Sequence, residues 1–316
     1  MQSNSPFSVP TEHAEKTLAA LLRALLPGQS WGDVRRLIET RRAKINGELC
    51  LDPARRVHEG EVVEVLPRPA AKPQQPEQVT IRHLDEHIVV VEKPSGINTV
   101  RHPAERQWTA QRKARSPTLE DIVPPLIRRQ EGRFQQGPPP RLRIVQRLDK
   151  ETSGLVVFAR TVAAERGLGQ QFHAHTVRRR YLAVVPGFVP AQTVRSRLVR
   201  DRGDGRRGST ALPEQGKEAV THVEPVERLP GYTLVSCRLE TGRTHQIRIH
   251  LAELGHPVCG EKVYGPRTDS SGAPRLALHA AELGFKHPVT GEQLRWTMPL
   301  PPDLDAFVDR LRRGRS

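Results

Sequence analysis

An aspartate stands between Arg147 and Lys150 in I-V-Q-R-L-D-K-E-T-S-G-L-V-V-F, from Ile144 to Phe158, where a polar turn joins two apolar runs. Two readings compete for it. Asp149 and Thr152 are turn formers, since short polar side chains hydrogen-bond their own backbone in tight reversals. The alternative is a carboxylate displayed for nucleophilic or base chemistry, which asks for a positive group to keep it ionised. An opposite charge within about 4–6 Å lowers an aspartate pKa by roughly 1–3 units, whereas burial without one raises it. The stretch E-T-G-R-T-H-Q-I-R-I-H-L-A-E-L-G, from Glu240 to Gly255, offers Arg243 for that purpose, in addition to the neighbouring Arg147. Thr244 reads as a helix cap, Ile247, Leu251 and Leu254 follow at helical spacing, and Gly255 supplies the stop. Arg243 is therefore expected at a strand end just ahead of a helix, where a scaffold can aim it into a cleft. The plainer reading of Arg243 is a surface phosphate contact or a structural ion pair.

Metal and cofactor chemistry find little support. His245, His250 and His256 match no ligand spacing, and no acidic or cysteine cluster accompanies them. Cys50, Cys237 and Cys259 are scattered, which argues against a disulfide framework and suits a reducing cytoplasm. The one glycine pair resembling a cofactor loop, G-L-G at 167–169, follows a helical stretch and lacks the third glycine. No metal and no cofactor are expected.

The elements that must hold these residues come next. At 316 residues the chain is long enough for one or two domains. Its 50 Lys and Arg against 35 Asp and Glu leave a formal charge of +15, which favours a polyanionic partner. Nucleic acid is preferred to membrane, because no stretch approaches the roughly 18–20 apolar residues of a spanning helix. The polar start MQSNSPFSVP also lacks a signal-peptide core.

After a polar tail at 1–13, residues 14–67 read as a small α/β unit. Leu18, Leu21, Leu22 and Leu25 fall at helical spacing, and Ser30 caps a second helix with Trp31, Val34, Leu37 and Ile38 on its apolar face. Asn46-Gly47 predicts a hairpin, with a further strand near Glu61 to Leu66. Arg35, Arg36, Arg41, Arg42 and Lys44 crowd the second helix and its exit, either as a solvated face or as a grip on a phosphate backbone. Residues 68–78 form a Pro-rich linker.

A large domain spans 79–300, opening with a strand, turn and strand up to Glu92. It is interrupted at about 101–143 by a basic insertion with a helical segment near Leu119 to Arg129 and with Trp108 and Phe134 as stacking candidates. Val162 to His175 reads as a helix, R-R-R-Y-L-A-V-V as a strand, and 301–316 as a last helix and basic tail.

Six stretches identify a resemblance. Q-R-L-D-K-E-T-S-G-L at 146–155 is similar to the H-R-L-D-x-x-T-S-G-L signature of the RluA-type pseudouridine synthases. V-V-V-E-K-P-S-G at 89–96, R-R-Y-L-A-V-V-P-G at 179–187, G-R-T-H-Q-I-R at 242–248, H-P-V-C-G-E-K-V-Y-G at 256–265 and L-A-L-H-A at 276–280 agree with it as well. The N-terminal R-R-L-I-E-T-R-R-A-K-I-N-G-E-L resembles an S-four-type RNA-binding domain, a known attachment in that family.

The resemblance implies an α+β pseudouridine synthase fold with a mixed, largely antiparallel central sheet. It implies a cytoplasmic RNA isomerase acting on structured RNA, with large-subunit rRNA first and tRNA second. No cofactor, membrane or obligate protein partner is implied, and a monomer is the default. Asp149 matches the catalytic aspartate, Tyr181 the tyrosine that packs on the uracil, and Arg243 the arginine paired to the aspartate. Arg147 matches the arginine that fills the place of the flipped base, and Thr152 and Arg179 are expected RNA contacts. Gln146 stands where the family usually has His, which is expected to alter RNA contacts and not to abolish activity. A non-catalytic RNA-binding protein retaining the fold, and a methyltransferase, are the competing readings.

Overall fold

Two apolar runs, Ile88–Val91 and Leu155–Phe158, lie side by side in the large sheet, and both faces of each are buried. Alternate side chains of a strand point to opposite faces. Val89, Val91, Val156 and Phe158 thus join one core cluster, while Ile88, Val90, Leu155 and Val157 join another beyond the sheet. This double burial explains why the runs are continuous and not alternating.

The computed structural model describes residues 6–67, 69–70, 79–132, 140–266 and 269–314. The chain divides near residue 73 into two compact units. The smaller unit contains β1 (Phe7–Ser8), α1 (Leu18–Leu25), α2 (Trp31–Glu39), β2 (Ala43–Ile45), β3 (Glu48–Leu49) and β4 (Val62–Val65). Its sheet runs β1-β4-β2-β3, and its core gathers Leu18, Leu21, Leu22, Val34 and Ile38. Ser30 and Asp33 close a capping box on α2, and Asn46 and Gly47 turn the hairpin with φ of 51° and 77°. Trp31 departs from the expected apolar face. It is 52% exposed, with the Arg23 guanidinium 5.9 Å from its ring centroid, because it is the first residue of α2, where the helix has barely begun to face the core. Most of the expected linker, residues 68 and 71–78, lies outside the described residues, as do Phe134 and the last two residues of the tail.

The larger unit begins with β5 (Thr80–Leu84) and β6 (Ile88–Lys93), followed by α3 (Ala110–Arg115) and α4 (Leu119–Gln130). Then come β7 (Arg143–Ile144), β8 (Ser153–Ala159), α5 (Val162–His173), β9 (Arg178–Pro186), β10 (Gln192–Val199), β11 (Gly208–Thr210), β12 (Lys217–Leu229) and β13 (Tyr232–Leu239). The chain finishes with α6 (Gln246–Glu253), β14 (Leu278–Lys286), β15 (Gln293–Thr297) and α7 (Pro302–Arg312). The sheet order is β11-β10-β12-β13-β9-β14-β8-β6-β5, with β15 on β14 and β7 on β8. Among the described strands only β8 and β14 pair in parallel, which makes the sheet mixed and largely antiparallel in an α+β fold. Gly154 sits at that pairing with φ +124°, and a Cβ on it would fall 2.3 Å from the Ala280 carbonyl oxygen. Only glycine fits there. No helix among the described residues is long and apolar enough to cross a membrane.

Candidate active site

The turn that displays Asp149 is held from outside itself. Lys93, fully buried, donates from Nζ to the carbonyls of Pro94, Lys150 and Thr152 at 2.9, 3.0 and 2.7 Å. Those three acceptors match the three N–H donors of an ammonium group. Burial pushes Lys93 down to about 7, opposed by the Glu151 and Asp149 carboxylates. The Gly96 N–H also reaches the Lys150 carbonyl at 2.8 Å, and Ser95 Oγ donates to the Glu151 carbonyl at 2.7 Å. Thr99 Oγ1 both donates to the Leu148 carbonyl at 2.8 Å and accepts from the Leu148 N–H at 3.1 Å. The turn itself is closed by the Thr152 N–H on the Asp149 backbone carbonyl, at 3.1 Å. The Asp149 carboxylate makes no hydrogen bond among the described residues, so its side chain is not what forms the turn. It is 26% exposed.

Two basic side chains face that carboxylate. Arg248 Nη1 lies 3.7 Å from Oδ2, and His245 Nε2 lies 3.8 Å from Oδ1. The expected pairing with Arg243 is corrected here: Arg243 Nε donates instead to the Glu218 carbonyl at 2.8 Å, with its guanidinium lining the same cleft. The reason lies in how α6 begins. Thr244 is not its cap. His245 holds that position in the left-handed region, φ 59°, and the helix starts one residue later than the cap at Thr244 would place it. This reversal leaves Arg243 against β12 and brings Arg248, in the first turn of α6, to the aspartate.

The loop ahead of α6 is pinned by Gln246. Its Oε1 accepts from Thr241 Oγ1 and the Arg243 N–H at 2.8 and 3.0 Å, and its Nε2 donates to the Val220 carbonyl and Thr221 Oγ1, both at 3.0 Å. Arg248 is held in turn by Glu261 through two bonds of 2.7 and 2.6 Å in a buried fork. Burial raises the Glu261 carboxyl, but the Arg248 hydrogen bonds and charge outweigh it and hold the group below its usual range. His245 shares a 2.7 Å hydrogen bond with the Tyr264 hydroxyl, and burial lowers its pKa against the pull of Asp149. The remaining histidines of this stretch are structural. His250 bridges Ser196 and Thr221 hydroxyls at 3.0 and 2.9 Å, and His256 Nδ1 meets the Pro186 carbonyl at 2.8 Å. No cluster suited to a metal ion occurs among the described residues.

Asp149 stands on the lip between two cavities. One, of about 570 Å³, has Tyr181 and Leu278 in its lining, with Phe172, His175, Arg179 and Lys217 around them. Tyr181 is 9% exposed, and burial pushes its phenol up to about 12, so it stays protonated at any working pH. Arg179 is 7% exposed; its Nη2 donates to the Glu240 carbonyl at 2.6 Å and its guanidinium stacks 5.5 Å from the Phe172 ring centroid. A Cβ on Gly242 would fall 2.6 Å from Arg179 Nη1, so the guanidinium would have to shift to admit one. Gln146 Nε2, Thr152 Oγ1 and Arg179 Nε are buried on this side without a hydrogen-bond partner among the described residues.

The second cavity, of about 700 Å³, opens on the other side of Asp149 between the turn and residues 98–103. Gln146, Arg147, Arg243, His245 and Arg248 line both. In the small unit Arg35 and Arg36 are exposed, whereas Arg42 Nε donates to the Leu66 carbonyl at 2.9 Å and Lys44 pairs with Glu64 at 3.9 Å. Arg41 Nε likewise donates to the Ala70 carbonyl at 3.1 Å. Part of the expected basic patch is thus committed to its own unit.

Chemically, the site presents an ionisable carboxylate with an arginine beside it, next to a lined cavity with a protonated phenol. That set suits attack on an electrophilic carbon or abstraction of a proton. Sequence reasoning missed Arg248, His245, Glu261, Tyr264 and the Lys93–Thr99 template. Arg248 carried a signal, since an arginine between Ile247 and Ile249 on a helix asks for a buried partner. The others carried none beyond their place in the quoted stretches, and Thr99 lies outside even those.

A family model described as RNA pseudouridylate synthase matches residues 87–253. The chain is 36% identical to a ribosomal large subunit pseudouridine synthase D of Neisseria meningitidis serogroup A, over 97% of this chain and 81% of that one. It is 37% identical to the protein of the same name from Zymomonas mobilis, over 84% of each. An uncharacterized RNA pseudouridine synthase of Bacillus subtilis is 38% identical over 82% of this chain and 78% of its own. Among solved structures, human RNA pseudouridylate synthase domain containing 4 is similar in fold, with a TM-score of 0.58 at 24% identity over 73% of this chain and 92% of that one. Human RNA pseudouridylate synthase domain containing 1 gives a TM-score of 0.57 at 25% identity, over 78% and 97%.

Proposed function

This chain belongs to the RNA pseudouridylate synthase family, and from that premise we propose that it isomerises uridine in large-subunit ribosomal RNA with Asp149 as the reacting carboxylate. The observation that carries the site assignment is the Asp149 carboxylate itself. It is unused by the turn that displays it, lies 3.7 Å from Arg248, and borders the cavity that holds Tyr181. The ribosomal substrate rests on the names of the relatives.

The reaction breaks the bond from C1′ of the ribose to ring N1 and makes one from C1′ to ring C5. The C5 proton leaves and N1 ends protonated, so the atoms balance without oxidant, water or cofactor. The target base leaves its stack at a cost of a few kcal/mol and enters the first cavity, where Tyr181 packs against it. Asp149 attacks the ribose, or takes a proton from it, dividing one difficult step into easier ones. Arg248 sets its positive charge 3.7 Å from the carboxylate, and Arg147 occupies the gap left by the base. Gln146 Nε2, Thr152 and Arg179 offer polar contacts to the nucleotide.

Residues 14–67 act as an S-four-type RNA-binding domain that adds phosphate contacts through Arg35 and Arg36, and through Arg41, Arg42 and Lys44 where their remaining donors allow. One copy of the chain lines both cavities, so a monomer suffices, and its place of work is the cytoplasm where ribosomal RNA is processed.

The test is a map of pseudouridine across total RNA with and without this protein. Loss of one or a few pseudouridines from large-subunit rRNA is the expected result; an unchanged map, or a loss confined to tRNA, contradicts the proposal. A second expectation follows from the turn template. Thr99→Val keeps the shape but leaves the Leu148 N–H and carbonyl without partners, and small misplacements of a catalytic group cost up to about 100-fold. We expect kcat about 10- to 100-fold lower with KM within about threefold, and recovery in Thr99→Ser. A rise in KM alone would show that Thr99 does not position Asp149.

A further inference from the structure

We propose that the second cavity is a subsite for the nucleotide adjoining the target uridine, and that the Asn98 side-chain amide reads its base. The inference rests on the function proposed above and adds a specificity determinant to it.

The two cavities meet at Asp149, and nine residues, Val145 to Asp149, Gly242, Arg243, His245 and Arg248, belong to the lining of both. A strand that places its uridine beside Tyr181 in the first must therefore pass its neighbour across the same lip. The second cavity is the size for it: about 700 Å³ lies within the range of about 300–1,000 Å³ typical of small-ligand sites.

Its lining divides the work. Arg147 and Lys150 are exposed at its edge, and neither side chain has a hydrogen bond or ion pair among the described residues, so both cations are free for phosphate. The opposite wall, residues 98–103, supplies Asn98. The residue is half-buried and lines the cavity, and its side chain makes no hydrogen bond among the described residues. Its backbone, by contrast, is fixed. The Asn98 carbonyl accepts from the Leu119 N–H at 3.0 Å, and the next residue, Thr99, is bolted to Leu148 by two bonds. Arg101, two residues further, is anchored to Asp121 at 2.6 Å. An amide carried on rigid backbone with both its donor and its acceptor unspent is equipped for bidentate recognition of a base edge, adenine being the best match.

The probes are synthetic RNA hairpins with one loop uridine and each of the four bases in turn on its 5′ or 3′ side. Binding by fluorescence anisotropy and pseudouridine formation are measured separately. At one of the two neighbouring positions the wild type should prefer one base, with adenine expected, by about 10-fold or more, the scale of one bidentate contact. Asn98→Ala should flatten that preference to within about threefold while leaving Tm unchanged. Asn98→Asp, which only accepts, should shift it toward cytosine, whose exocyclic amine donates. Equal binding of all four bases at both positions by the wild type, or an unchanged preference in Asn98→Ala, overturns the proposal. A base preference in binding with no pseudouridine formed would instead sink the proposed function and leave the subsite standing.

Discussion

Asp149→Asn should reduce pseudouridine formation by about four orders of magnitude or more, the scale of loss when a covalent nucleophile is removed, with little effect on stability. The two halves of that statement separate the readings of this residue. Asparagine suits turns as well as aspartate does. The bond that closes this turn runs from the Thr152 N–H to the Asp149 backbone carbonyl, and the other carbonyls are held by Lys93, Ser95, Gly96 and Thr99. None of these contacts uses the carboxylate. A turn-forming role therefore predicts a small effect everywhere, whereas a reacting carboxylate predicts collapse of turnover with an intact fold. The measurement is single-turnover conversion of the mapped rRNA fragment, beside thermal melting and RNA affinity. Substantial turnover in a variant that melts and binds like the wild type would remove Asp149 from the chemistry. A binding protein that merely kept the fold would show no conversion in either protein.

Much of this arrangement was legible because it is local. The strand, turn and strand around Asp149 is written in one stretch, and so are α1, the Asn46-Gly47 hairpin and α5, whose apolar spacing is their own. What was not legible depends on partners far apart in the chain. G-R-T-H-Q-I-R contains two arginines, and nothing in their spacing tells which faces Asp149, since the choice is made by the left-handed backbone at His245. Arg248 looks ordinary until Glu261, 13 positions away, is seen to fork onto it. Lys93 reads as one more cation in a basic chain, yet it is fully buried and its only acceptors are backbone carbonyls, two of them more than 50 residues away. Thr99 was invisible for the same reason, since its hydroxyl is spent on the backbone of Leu148. The sequence thus exposes the proposed reacting carboxylate more readily than the groups that hold it.

Arg248→Met is expected to destabilise the larger unit as well as to lower turnover. The substitution removes the charge 3.7 Å from Asp149 and strands Glu261, which is 3% exposed. Breaking a buried ion pair by deleting one partner costs about 3–5 kcal/mol. For a domain of this size that is a drop in Tm of about 6 to 20 °C. The pH dependence gives the diagnosis. With Arg248 present the Glu261 carboxyl lies below its usual range, so that contribution to stability is complete near neutrality and is lost only as pH falls through the lowered value. Without Arg248, burial is left to raise the same carboxyl above its unfolded value. Protonation then relieves the variant as pH falls, and the Tm gap from wild type should narrow between about pH 7 and 5. Glu261→Gln in the Arg248→Met background removes the stranded charge, so it should recover much of the melting temperature at neutral pH but not the turnover, because Asp149 still lacks its partner. Full recovery of both by the double variant would show that Arg248 serves only to neutralise Glu261, and that the carboxylate of Asp149 works without it.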